Sequence, residues 1–128
     1  MCGIIAYAGP KKSSEVLLKG IKTLEYRGYD SVGMAVISGN AISVKKDVGK
    51  VDEVNQKVNF LSLEGNIGIA HTRWSTHGRV TKENAHPHLD CRGTIAVVHN
   101  GIIDNYQELK GDLSSHSFVS QTDTEVIP

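Results

Sequence analysis

The sequence predicts an α+β domain, in which helices pack on a sheet that contains an antiparallel hairpin. Residues 3–8 form a short, Ile-rich apolar run, which is typical of a buried strand. Residues 32–37 and 41–45 are rich in Val and Ile and flank a Ser-Gly-Asn turn, which indicates a hairpin. Apolar residues recur at helical spacing between positions 16 and 24. With 128 residues, the chain has the length of one domain.

The first half of the chain predicts the order strand, helix, hairpin, helix, strand. The first strand stops at Gly9-Pro10, and a helix begins near Ser13 or Ser14. One face of that helix is apolar and the other is charged, so it packs on the sheet. A second, weaker helical pattern covers residues 51–61, and residues 67–70 predict another short strand.

The second half of the chain is richer in loops. Residues 71–78 and 84–88 combine His, Arg, Trp and hydroxyl side chains without periodicity, which is typical of loops that carry sites. Residues 94–99 predict a strand that ends in Asn100-Gly101, and residues 105–113 predict a short helix. Residues 122–125 have the form of a capping box, which predicts a helix after Thr122. The sequence stops at Pro128, so this helix would have only about one turn, which is not stable alone. We therefore expect a fold that is incomplete at its C-terminus.

The composition excludes several classes of protein. Fourteen basic residues balance fourteen acidic ones, so no broad field attracts nucleic acid or an anionic membrane. No apolar run approaches the roughly 20 residues that span a bilayer. The two cysteines allow at most one bridge, and no basic-then-apolar leader is present. We therefore expect a cytoplasmic, reduced protein.

Cys2 is the candidate nucleophile. If Met1 is removed, Cys2 carries a thiol and a free α-amine. An α-amine has a pKa of about 7.7 to 8.0 and a thiol about 8.5, so the amine can accept the thiol's proton near neutral pH. The pattern therefore offers a nucleophile with its own general base. The competing interpretation is that Cys2 is a small buried residue of an ordinary first strand.

Other residues offer what a cysteine attacking an amide needs. Asn100 and Gly101 supply a side-chain amide and a backbone N–H to an oxyanion. Arg73 has the planar fork that carboxylates prefer, and Asp123 has a charge for an ammonium. Trp74, on an aperiodic loop, is a candidate lid residue. The chain thus contains a candidate for each part that this chemistry needs.

Six segments together resemble the class II glutamine amidotransferase family. They cover residues 2–5, 24–31, 71–78, 84–88, 99–103 and 122–127, in the family's order. The Trp after Arg73 and the Tyr-Arg-Gly-Tyr-Asp segment are more similar to the glucosamine-6-phosphate synthase branch than to the phosphoribosyl or asparagine-forming branches.

This resemblance implies an N-terminal-nucleophile hydrolase fold, a four-layer α/β/β/α sandwich with antiparallel sheets. It implies that L-glutamine is hydrolysed through a thioester on Cys2, without a cofactor or metal, and that ammonia passes to a sugar-phosphate isomerase. Asn100 and Gly101 would form the oxyanion hole. The substrate-binding residues that it implies are Arg73 for the α-carboxylate, Asp123 for the α-ammonium, and Trp74, Thr76 and His77 around them. Arg27 resembles a residue that orders the surroundings of the nucleophile.

The chain is shorter than the family's glutaminase domain. We therefore expect residues 1–128 to form a partial glutamine amidotransferase domain, with the isomerase domain absent. The expected partners are L-glutamine and an isomerase that receives ammonia, on the same or a separate chain. A partner chain, a homodimer or a swapped element would cover the sheet edges that missing strands expose.

Two alternatives remain open. The clustered His71, His77, His86, His88 and Cys91 suggest a metal site, but their spacing fits no common zinc pattern and Arg73 would repel a cation. The second alternative is a truncated, non-catalytic remnant that binds glutamine or a protein partner. The presence of all the motif residues argues against it.

Overall fold

The computed structural model describes residues 1–75 and 79–128. The elements, in chain order, are β1 (Gly3–Ala8), α1 (Ser13–Thr23), β2 (Ser31–Ser38), β3 (Ala41–Val48), α2 (Val51–Val58), β4 (Ile67–Arg73), β5 (His88–Leu89), β6 (Ala96–Val97) and α3 (Tyr106–Asp112). Single 3-10 turns lie at Glu25–Arg27, Phe60–Ser62 and Thr124–Val126.

Four strands form one antiparallel sheet in the order β1-β4-β2-β3. Alternate residues of a strand point to opposite faces, so each face has its own chemistry. One face is apolar and packs against α1 and α2 to form the core. The core residues on this face and its helices include Val32, Met34, Val36, Ala70, Leu17, Ile21, Val54 and Phe60. The predicted α+β class is therefore confirmed.

The opposite face of the sheet carries the polar residues of the candidate site. His71 of β4 pairs with Ile4 of β1 and with Gly33 of β2, so these three residues share that face. The segment before β5 lies directly over it, since a Cβ on Gly33 would come within 2.0 Å of the His86 carbonyl oxygen. Only glycine permits this approach.

Lys46 of β3 ties the same segment to the sheet. Its Nζ donates hydrogen bonds to the carbonyl oxygens of Ala85, at 2.6 Å, and Pro87, at 2.9 Å. Strands β5 and β6 form a second, two-stranded antiparallel sheet. The turn Thr124–Val126 contacts both β5 and α3.

Several predicted boundaries are wrong. Strand β4 continues through Arg73, so His71 and Arg73 lie on a strand and not on a loop. The strand expected over 94–99 has only two residues, Ala96 and Val97. The second helix ends at Val58, and Leu61 lies in the turn that follows.

The capping box predicted at Thr122 is also wrong. The segment makes only the 3-10 turn Thr124–Val126, which has no side-chain cap. The Glu125 carboxylate instead accepts hydrogen bonds from the backbone N–H groups of Val119, at 2.8 Å, and Ser120, at 2.7 Å. The Glu125 carboxylate therefore holds the preceding loop and does not cap a helix.

Within residues 1–75 and 79–128, every helix is too short or too polar to cross a lipid bilayer.

Candidate active site

Cys2 lies immediately before β1, beside the end of β4. The backbone N–H of Trp74 donates to the Cys2 Sγ at 3.2 Å, and Sγ lies 3.5 Å from the Trp74 carbonyl oxygen. The antiparallel pairing of β1 with β4 thus places the thiol against the start of the Trp74 loop.

Two side chains converge on the Cys2 carbonyl oxygen. Arg27 donates from Nε at 3.2 Å, and Asn100 donates from Nδ2 at 3.1 Å. Arg27 lies in the 3-10 turn that follows α1. Asn100 lies shortly after β6 and is 98 residues from Cys2 along the chain. The two predicted residues therefore fix the backbone of the nucleophile from opposite parts of the sequence.

A cavity of about 380 Å³ opens at Cys2. Every described residue of the predicted site lines it: Cys2, Arg27, Arg73, Trp74, Asn100, Gly101 and Asp123. Residues beyond the prediction that also line it are Met1, His86, His99, Ile102, Thr122 and Thr124. The volume is suited to a small molecule of the size of an amino acid.

Arg73 and Asp123 give the cavity its charges. Arg73 is 4% exposed, and burial lowers the pKa of its guanidinium, while the charges of Cys2, Asp30 and Asp123 partly offset that effect. Asp123 accepts a hydrogen bond from the Ile103 N–H at 2.7 Å, which ties the Asn100-Gly101 loop to the last turn. A cation and an anion in one cavity match a zwitterion.

The Trp74 loop is anchored at its start. The carboxylate of Asp30 accepts a hydrogen bond from the Ser75 N–H at 2.8 Å. The indole of Trp74 is 43% exposed and meets the Tyr29 ring edge to face, with ring centroids 5.6 Å apart. Gly28 lies against the Arg73–Trp74 peptide so closely that a Cβ would come within 2.6 Å of the Trp74 nitrogen. The Tyr-Arg-Gly-Tyr-Asp segment therefore packs against this loop and supports it.

Two predicted substrate-binding residues, Thr76 and His77, lie outside the described residues. Their expected roles remain predictions.

Three buried histidines stack beneath the cavity. The His71 and His86 rings are parallel, with centroids 4.1 Å apart, and the His88 ring meets His86 edge to face at 4.6 Å. His71 Nε2 lies 2.9 Å from Asn100 Oδ1, and His88 Nε2 lies 2.9 Å from Thr122 Oγ1. In residues 1–75 and 79–128, no three His, Cys, Asp or Glu side chains are grouped so as to hold a metal ion.

Burial keeps these histidines neutral. It lowers the pKa of His71 to about 4 and that of His88 to about 3. It also lowers the pKa of His86, which the neighbouring His71 and His88 depress further. In the unfolded chain the three would titrate near the ordinary value of about 6.5.

We expect the protein to lose stability in acid. Below about pH 6.5 the unfolded chain binds protons that the folded chain does not, so the free energy of unfolding falls as the pH falls. Between about pH 7 and about pH 5, each histidine should lower the free energy of unfolding by about 2 kcal/mol. Urea unfolding at the two pH values measures the difference. His86→Phe keeps the stacking and should reduce the difference, whereas an unchanged free energy across this range would contradict neutral burial.

A comparison with protein families identifies the chain. The profile of a family described as a glutamine amidotransferase domain matches residues 56–128, more than half of the chain. The chain belongs to this glutamine amidotransferase family. The matched segment includes Arg73, Trp74, Asn100, Gly101 and Asp123, and so contains most of the residues around the cavity.

Curated relatives extend the similarity to the first residues. The chain is 60% identical over 129 residues to an isomerizing glutamine-fructose-6-phosphate aminotransferase of Pyrococcus horikoshii, covering 99% of this chain and 22% of that protein. It is 52% identical over 130 residues to the enzyme of the same name from Clostridium perfringens, covering 100% of this chain and 21% of that protein. The chain thus spans about a fifth of these relatives.

Solved structures share the fold. A glutamine phosphoribosylpyrophosphate amidotransferase from B. subtilis, complexed with ADP and GMP, matches with a TM-score of 0.81 and 26% identity, over 98% of this chain and 28% of that one. A structure described as the allosteric regulatory enzyme of purine biosynthesis matches with a TM-score of 0.83, 27% identity and the same two coverages. These similarities confirm the predicted N-terminal-nucleophile hydrolase fold.

Sequence reasoning missed the supporting residues of the site. His99 Nδ1 lies 3.3 Å from Thr124 Oγ1, which links the two segments that carry Asn100 and Asp123. Thr122 and Thr124 are 3% and 1% exposed, so their hydroxyls serve buried contacts. Both threonines are adjacent to Asp123 in the sequence, which is a signal that they belong to the site. However, hydroxyl residues in a turn indicate capping more often than support of a distant loop.

Proposed function

We propose that this chain hydrolyses L-glutamine to glutamate and ammonia, with Cys2 as the nucleophile. The observation that carries the proposal is the cavity at Cys2, where an amide donor, a buried guanidinium and a carboxylate lie around one thiol. Membership of the glutamine amidotransferase family supports the same reaction. Removal of Met1 is a condition of activity, because only a free α-amine on Cys2 can act as a base.

The reaction proceeds in two steps. The α-amine takes the thiol proton, and Sγ attacks the side-chain carbonyl carbon of glutamine, forming a C–S bond and an oxyanion. The oxyanion collapses, the C–N bond breaks, and the α-ammonium returns its proton to the departing nitrogen as ammonia. Water then attacks the thioester with the α-amine as base, and glutamate and the thiol are released. Asn100 and the Gly101 N–H stabilise each oxyanion.

The charged residues select the substrate. Arg73 binds the α-carboxylate through its planar fork, and Asp123 binds the α-ammonium. Trp74 belongs to the loop that closes over the bound amino acid, Thr76 and His77 are expected to line the same pocket, and Arg27 holds the backbone of Cys2. An amide without the α-amino acid group lacks the carboxylate and the ammonium that Arg73 and Asp123 bind, so it should bind more weakly.

The names of the relatives support a proposal for the fate of the ammonia. Their names describe an isomerizing aminotransferase that acts on fructose 6-phosphate, and the chain spans only about a fifth of their length. These names support the proposal that the ammonia passes to a sugar-phosphate isomerase on a further domain or a separate chain. We assign residues 1–128 to part of the glutaminase domain, which functions in the cytoplasm and is completed by further chain or by a second copy.

The test is covalent labelling of the Met1-free chain with an electrophilic diazoketone analogue of glutamine. We expect one label on Cys2 by intact mass and peptide mapping, and slower labelling in excess glutamine. The same chain with Met1 retained is the matched control and should react slowly. A chain that binds glutamine but resists the analogue would instead be a non-catalytic binding protein, and the proposal would be wrong.

A further inference from the structure

We propose that His71 is a positioning residue that orients the side-chain amide of Asn100, so that the amide N–H, and not its oxygen, faces the nucleophile. The proposal rests on the glutaminase function proposed above and adds a residue to which that function gives no role. His71 lies behind the cavity and does not line it, so it acts through Asn100.

The geometry is a two-step relay. His71 Nε2 lies 2.9 Å from Asn100 Oδ1, and Asn100 Nδ2 donates to the Cys2 carbonyl oxygen at 3.1 Å. Asn100 itself is exposed, so without His71 the orientation of its amide would depend on the Cys2 carbonyl oxygen alone. His71 is 1% exposed and sits on β4, in register with Ile4 of β1. The histidine is therefore the fixed member of the pair.

Only one combination of proton position and amide orientation satisfies both hydrogen bonds. If Nε2 of His71 carries the proton, it donates to Oδ1, and Nδ2 of Asn100 is free to donate to the Cys2 carbonyl. If the proton is on Nδ1, Nε2 can only accept, and the amide must turn over. Oδ1 would then face the Cys2 carbonyl oxygen, which places two acceptors together. The tautomer of His71 thus selects the amide orientation.

His71 is held rigidly enough to impose this choice. Its ring stacks on His86 at 4.1 Å between centroids, and burial in this layer lowers its pKa to about 4. The ring therefore stays neutral at physiological pH and carries a single N–H, on either Nδ1 or Nε2. A supporting side chain locked by packing is what a preorganised site requires.

The consequence lies in the reaction path. A donor aimed at the position of the developing oxyanion stabilises the transition state, whereas an amide oxygen there repels it. A population of turned-over amides would lower the turnover in proportion to the fraction wrongly oriented. Substrate binding would change little, because the α-carboxylate and α-ammonium contacts lie elsewhere.

A double-mutant cycle tests the relay. His71→Leu removes the donor and should lower kcat about tenfold, with KM changed by about twofold or less. His71→Gln retains an N–H donor and should recover to within about threefold of the parent kcat. In an Asn100→Ala background, His71→Leu should cost about twofold or less, because its target is gone. Equal losses in both backgrounds would overturn the proposal, and melting temperatures check that each variant is folded.

A spectroscopic measurement separates this proposal from the proposed function. The nitrogen-15 chemical shifts of His71, assigned by loss of signal in His71→Gln, report which ring nitrogen carries the proton. We expect protonation at Nε2, and a proton on Nδ1 would overturn the proposal whether or not the chain turns over glutamine. A parent chain with protonated Nε2 but no turnover would instead contradict the glutaminase function and leave the orientation of Asn100 supported.

Discussion

Replacing Cys2 by alanine is expected to abolish glutamine hydrolysis by the Met1-free chain. The change removes the sulfur that forms the thioester, so only direct attack by water remains. Loss of a nucleophile of this kind lowers kcat by about 10⁴-fold or more. Ammonia release, followed with excess glutamine and compared with the parent chain, measures the loss. Glutamine affinity should persist, because Arg73 and Asp123 are unchanged.

Cys91→Ala is the matched control for this prediction. Cys91 is exposed and lies outside the Cys2 cavity, with its Sγ 3.0 Å from His116 Nδ1. Its removal should therefore leave turnover within about twofold of the parent value. Equal losses in Cys2→Ala and Cys91→Ala would show that the wrong cysteine has been assigned as the nucleophile.

The elements that sequence reasoning predicts best are those with an apolar face. Strand β1, helix α1 and the β2–β3 hairpin each bury one regular set of side chains in the core, so their periodicity is visible in the sequence. The turn at Gly39 has a φ of 62°, which agrees with the turn signal at that position. These elements carry three of the four strands of the sheet and position Cys2 at its edge.

Elements with a polar face are harder to predict. His71 and Arg73 lie on β4 but point into the polar layer between the sheet and β5, so the end of this strand, beyond the predicted residues 67–70, has no apolar pattern to reveal it. The same is true of His88, which pairs with Val97 in the short second sheet. Their placement depends on contacts across 29 residues or more, such as His71 with Asn100, which periodicity does not report.

The site residues are predicted from the chemistry that a nucleophilic cysteine needs and from the family resemblance, and the fold brings the described ones to one place. The ends of β1 and β4, the Asn100-Gly101 loop and the last turn meet at one cavity. The motifs do not include all the polar contacts that hold their segments together. Glu125 holds the loop at Val119 and Ser120, and His99 contacts Thr124, so the site depends on polar contacts made only after folding.

Asn100→Ala is expected to lower kcat by about 10² to 10³, the cost of losing one oxyanion donor. The KM for glutamine should change little, because the oxyanion exists only along the reaction path.

The loss has a second origin in this chain. Asn100 also donates to the Cys2 carbonyl, so its removal leaves Arg27 as the remaining side-chain donor to that oxygen among the described residues. Steady-state kinetics of ammonia release separate kcat from KM. Asn105→Ala is the matched control, since Asn105 is an exposed asparagine before α3 whose side chain makes no capping hydrogen bond. A raised KM with an unchanged kcat would mean that Asn100 binds the substrate and does not stabilise the oxyanion, because ground-state binding and transition-state stabilisation affect these two constants differently.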